Sequence, residues 1–160
     1  MSQQSDQTQP GAVAQPEGDP RYALVCLASS QQPGPIQAAL QELGYTVHVP
    51  AKLEEALEQL EQNRYELALI HETYGGSPEQ NQILKTIQPM AMPLRRHMCV
   101  GLIGGQVKTS DHMMAFAKSV NFVVAESDLD KIKTIARRAV TENDHFYKAF
   151  RESLREAGKE

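Results

Sequence analysis

Tyr65-Glu-Leu-Ala-Leu-Ile70 runs straight into His71. A short apolar run closed by a polar residue reads as a strand buried in a sheet, with His71 at its carboxyl end. Its flanks carry a different period. Upstream, Leu53, Ala56, Leu57 and Leu60 mark one face of a helix whose wet side holds Glu54, Glu55, Glu58 and Glu61. Downstream, the loop Tyr74-Gly-Gly-Ser-Pro78 leads to Ile83, Leu84 and Ile87, a helix stopped before Pro89. Helix, buried strand and helix in succession form the repeating unit of an α/β sheet.

The same alternation extends in both directions. Tyr22-Ala-Leu-Val-Cys-Leu27 is a first apolar run, followed by Ile36, Ala39, Leu40 and Leu43 at helical spacing and by Gly44 at a left-handed cap. Thr46-Val-His-Val49 is a short second strand. Cys99-Val-Gly-Leu-Ile103 is a fourth, Met113, Met114, Phe116 and Ala117 form a helical stripe, and Asn121-Phe-Val-Val-Ala125 is a fifth strand. Ser127 with Asp130 three residues on has the form of a capping box opening the last helix. Connections this short call for parallel strands with right-handed crossovers, hence a doubly wound five-stranded parallel sheet with helices on both faces.

Composition bounds the rest. At 160 residues the chain can bury one core without staples. Met1 to Pro20 holds five Gln and three Pro, no aromatic residue and Val13 as its one β-branched aliphatic residue, so residues 1–20 are expected to be a disordered leader. The leader lacks a secretion-signal pattern, and no stretch approaches a membrane span. A net charge of −4 suits a cytoplasmic protein and disfavours nucleic acid as a partner. Arg95-Arg96-His97 and Arg137-Arg138, without interleaved aromatics, read as solvated surface. Cys26 and Cys99 sit inside strands with no metal-ligand spacing and read as small buried hydrophobes.

Residues 21–140 resemble the receiver domain of bacterial response regulators. Leu40-Gln-Glu-Leu-Gly-Tyr-Thr-Val47 is similar to the family's junction of helix one and strand two. Ala56-Leu-Glu-Gln-Leu60 with Tyr65 to Ile70 is similar to helix two and strand three. Ile83-Leu-Lys-Thr-Ile87 is similar to helix three, and Asn121-Phe-Val-Val124 sits where receivers place strand five. The resemblance implies a flavodoxin-like sheet in the order 2-1-3-4-5.

It also implies a chemistry whose residues are missing. Where the family keeps an acidic pair after strand one, this chain reads Leu27-Ala28-Ser29. His71 stands at the phosphoacceptor position, Ile103-Gly-Gly-Gln106 replaces the strand-four hydroxyl, and Ala125 followed by Glu126 replaces the strand-five lysine. Without clustered oxygen ligands, Mg²⁺ has little reason to bind. Glu72 opposes phosphorylation of His71 itself, and a metal on His71 and Glu72 would need His97 or His112 as a third ligand. The reading is a degenerate receiver: a phosphorylation-independent protein-interaction module, not an enzyme, with no cofactor and no metal.

Two features point to surfaces. Gly75-Gly76 and Gly104-Gly105 follow strands three and four; tight turns explain them, and the alternative is a small-ligand or nucleotide pocket lined by Ser29, His71, Gly104 and Thr109. Residues 141–160 form a helical extension carrying Phe146, Tyr147, Phe150 and Leu154 on one side. A single helix from Ser127 would run about 40 Å at about 1.5 Å per residue, so the chain either folds back at Thr141 to Asp144 or projects as an arm. Those four residues, and Met90 and Met92 in the Met-rich segment Met90 to Leu94, are the expected contacts for a protein partner or a homodimer.

Overall fold

The computed structural model describes residues 21–28, 31–75, 81–90 and 97–158. Its elements are β1 (Arg21–Cys26), α1 (Pro33–Glu42), β2 (Tyr45–His48), α2 (Leu53–Gln62), β3 (Tyr65–His71), α3 (Gln82–Ile87), β4 (Cys99–Gly104), α4 (His112–Lys118), β5 (Phe122–Ala125), a 3-10 turn (Glu126–Lys131) and α5 (Ile132–Glu156). All strand pairs are parallel and the order is β2-β1-β3-β4-β5, as the apolar runs and the family resemblance imply.

Alternation along each strand divides the core into two layers. Leu24, Cys26, Ala68, Ile70, Val100, Leu102 and Val123 face α2, α3 and α4. Ala23, Val25, Leu67, Leu69, Ile103, Phe122 and Val124 face α1 and α5. Gly101 makes room within the second layer: a Cβ there would lie 2.4 Å from Cζ of Phe122. Gly44 adopts φ 99° just past α1 and turns the chain into β2.

Two expectations are corrected. The Ser127–Asp130 capping box is not made: those residues lie within the 3-10 turn, and neither that turn nor α5 has a side-chain cap. On α4, Met113 is 77% and Phe116 is 83% exposed. This helix is short, and it seats Ala115 in the core with Met114 half-buried beside it, because the small residue permits close approach. Of the two courses open to the chain after Val140, it takes the projecting arm: α5 continues through Thr141 to Asp144 as one helix of 25 residues.

The outer edge of β5 is closed by its own loop. The Ser110 N–H donates to the Val123 carbonyl at 3.0 Å, and the Ala125 N–H donates to Thr109 Oγ1 at 2.9 Å. Among the described residues, no helix is long and apolar enough to cross a membrane.

Candidate functional site

His71 closes β3 at the carboxyl edge of the sheet, in register with Ile103 of β4, and is 3% exposed. Its ring is engaged at both nitrogens. The Thr73 N–H donates to Nδ1 at 3.1 Å and the Thr73 hydroxyl approaches the same atom at 2.9 Å. Nδ1 therefore accepts, Nε2 carries the proton, and Nε2 donates to the Glu126 carboxylate. Glu126 is the first residue after β5, so the imidazole ties the end of β3 to the end of β5 across β4.

A second carboxylate stands beside it. Glu72 accepts from the Gly105 N–H at 3.1 Å, and its carboxyl carbon lies 2.9 Å from where a Cβ on Gly104 would be. Gly104 thus gives Glu72 its seat, and Gly105 lies between the two carboxylates, its hypothetical Cβ 3.4 Å from Glu126. Asn81, 2% exposed, holds the start of this loop. Its side-chain amide donates to the His71 and Glu72 carbonyls at 2.9 and 3.1 Å, while its oxygen accepts from the Leu84 N–H at 3.1 Å and caps α3. Asn81 was not among the residues singled out above, although an Asn just before an apolar helical run is a capping signal.

Hydroxyl, imidazole and carboxylate here stand in a row, from Thr73 through His71 to Glu126. Yet the Nδ1 lone pair is shared with the Thr73 N–H, and Glu72 and Glu126 oppose the negative charge that an acyl-transfer intermediate would develop. The row is a tie between strand ends. Among the described residues, no group of three or more His, Cys, Asp or Glu side chains is placed to hold a metal ion.

The structure distributes the other predicted residues. Ser29 lies outside the described residues. His71 and Gly104 meet around Glu72, whereas Thr109 sits on the outer side of β5, donating to Asp128 at 2.5 Å. A crevice of about 470 Å³ lies at the carboxyl ends of the first three strands, lined by Leu27, Ala28, Val49, Lys52, Leu53 and Tyr74 among others. Below it the Tyr74 hydroxyl meets no nitrogen or oxygen partner among the described residues; its neighbour is the Cys26 thiol. Burial pushes both up to about 12.

On the arm, Phe146 is 65% and Phe150 is 41% exposed, and Tyr147 is half-buried between them, ring centroids 4.9 and 6.3 Å away. The side chains of Arg151 and Leu154 lie outside the described set, as does Met92. Met90 packs half-buried against the α2–α4 layer. A groove of about 490 Å³ runs between α4 and α5, lined by Ala115, Phe122, Ile135, Ala139 and Phe146 among others.

No protein-family model matches the sequence, and neither does any curated protein. Solved structures do. A CheY-like response regulator receiver domain protein from Methanospirillum hungatei superposes with a TM-score of 0.60 at 14% identity, covering 79% of this chain and 98% of the other. A response regulator from Thermotoga maritima gives 0.57 at 15% identity over 76% and 98%. An orphan response regulator of H. pylori gives 0.56 at 13% identity over 75% and 96%. At such identities the likeness is one of fold: the chain has the CheY-like receiver architecture.

Proposed function

We propose that the chain is a phosphorylation-independent protein-interaction module of a bacterial signalling or regulatory pathway, acting in the cytoplasm. The observation that carries this is the His71–Glu126 tie. At the strand-three position where the resembled family accepts phosphate, both imidazole nitrogens are occupied. Glu72 and Glu126 flank the position without a lysine or metal ligand set among the described residues to offset them. A phosphoryl group 4 Å from either carboxylate would meet a repulsion of about 4 kcal/mol per unit charge at an effective dielectric constant of about 20. Met113 and Phe116, exposed beside the α4–α5 groove, supply apolar contact surface for assembly.

The test is chemical silence. With acetyl phosphate and Mg²⁺, no stable phosphoprotein should form, and beryllofluoride should leave the amide spectrum unchanged. A saturable response centred on residue 71 overturns the reading.

A second reading is a small-ligand sensor. It is favoured by the crevice at β1–β3, because that is where the strand order reverses and doubly wound sheets bind ligands. A dose-dependent rise in melting temperature with nucleotides, cyclic dinucleotides or divalent metals would select it over the interaction module.

A further inference from the structure

The stripe that seats α5 on the sheet continues where the sheet ends. Ile132, Ala136 and Val140 are buried against the domain. Beyond Val140, Asn143, Tyr147, Phe150 and Leu154 follow in steps of three, four, three and four residues. At 3.6 residues per turn these positions stay on one side of the helix, in line with the buried ones. Alternating steps of three and four are the repeat by which one helix packs along another. Phe146 lies to one side of the stripe, where it lines the α4–α5 groove. Tyr147 and Phe150 stand on the stripe itself.

The charges of the arm say which helix it fits. Residues 141–147 contain Glu142 and Asp144 and no Lys or Arg, whereas residues 148–156 contain Lys148, Arg151 and Arg155 against Glu152 and Glu156. The base of the arm is acidic, and the stretch from Lys148 to Arg155 beyond it is net cationic. We infer that the arm pairs antiparallel with the arm of a second copy of this chain. In antiparallel packing of this repeat, Tyr147 of each copy is layered with Phe150 of the other, and Asn143 with position 154. The same register brings Asp144 of one copy to within two residues, about 3 Å along the axis, of Arg151 of the other, on the flank of the seam. Each acidic base then lies beside the net cationic stretch of the other copy, whereas a parallel pair would set the two acidic bases side by side.

Asn143 fixes where the pairing stops. Its side-chain oxygen accepts from Asn121 Nδ2 at 3.2 Å, so the stripe turns polar at the point where the arm leaves its own domain. A polar residue on an otherwise apolar seam specifies register. The overlap from Asn143 to Leu154 is about 16 Å at about 1.5 Å per residue, short enough that the dimer should dissociate on dilution.

This names the partner of one face of the interaction module, and rests on that reading only in taking assembly as the output. The test is sedimentation of the full chain over a broad concentration range. Wild type should pass from monomer to dimer, and Tyr147→Glu should remain monomeric with an unchanged helical spectrum. Asp144→Arg should weaken the dimer at least tenfold, and adding Arg151→Asp in the same chain should restore it. Since Asp144 also interacts with Arg21 in its own domain, the melting temperature of each variant is recorded as a control. A wild type that stays monomeric, a dimer indifferent to Tyr147→Glu, or no rescue by the charge swap overturns the inference. A chain that accepts phosphate from acetyl phosphate overturns the silent-module reading and leaves the dimer standing.

Discussion

Replacing Asn81 by Ala should destabilise the protein by about 3 kcal/mol. The side chain is 2% exposed and makes three hydrogen bonds, two to carbonyls and one from the Leu84 N–H. Loss of the cap costs about 1 kcal/mol, and each carbonyl stripped of its donor adds about 1 kcal/mol. For a domain of this size the total corresponds to a fall in melting temperature of roughly 10 °C. Asn81→Ser separates the contributions, because a serine oxygen can still cap α3 but is too short to reach the carbonyls. It should lose about 2 kcal/mol, the share of the two carbonyl bonds. Urea titration followed by far-UV circular dichroism measures both, with the slope required to stay constant so that the midpoint reports stability alone. If Asn81→Ala costs under 1 kcal/mol, or Asn81→Ser matches wild type, the loop after β3 is not held in the way described.

Gly101→Ala should cost about 1–3 kcal/mol through overpacking against Phe122, and adding Phe122→Leu should recover part of that loss in a double-mutant cycle. Burial holds Tyr45, Tyr65 and Tyr74 up to about 12 from an ordinary 10. The folded state thus keeps protons that the unfolded chain releases first. The stability this represents is complete below about pH 10 and is lost as pH rises towards about 12, so urea midpoints should fall across that window. Cys26, buried and likewise held up to about 12, should resist thiol reagents at pH 8 until the chain unfolds.

How legible each part was depended on whether its signal is local. The strands could be read because burial on both faces leaves an uninterrupted apolar run, and Tyr65 to Ile70 with His71 at its end is where the sequence places it. The partner of His71 could not be read, since Glu126 lies 55 residues away and only the parallel order brings β3 and β5 to flank β4. Asn81 carried a local signal, a cap before Ile83, but its bonds to the carbonyls of His71 and Glu72 depend on loop closure. Ser127 and Asp130 gave the reverse error: their spacing satisfies a capping motif, yet a 3-10 turn takes up those residues before α5 begins. On α4, spacing alone could not say which side faces the sheet. Ala115, the smallest residue of the turn, won the inner position over Met113 and Phe116.

The loop bonded along β5 has a consequence for how this surface can be used. With the Val123 carbonyl and the Ala125 N–H already taken by Ser110 and Thr109, an incoming strand finds those two positions of the ladder filled. Recognition by strand addition is blocked there, and a visitor to that flank must be met by side chains. The same blockage acts as a safeguard in a crowded solution. Exposed apolar groups such as Met113 and Phe116 invite adhesion, and adhesion becomes fibrous growth when an open strand edge lies alongside to template it. Here the strand edge beside the adhesive patch is already filled at those two positions, so a misplaced encounter can come undone.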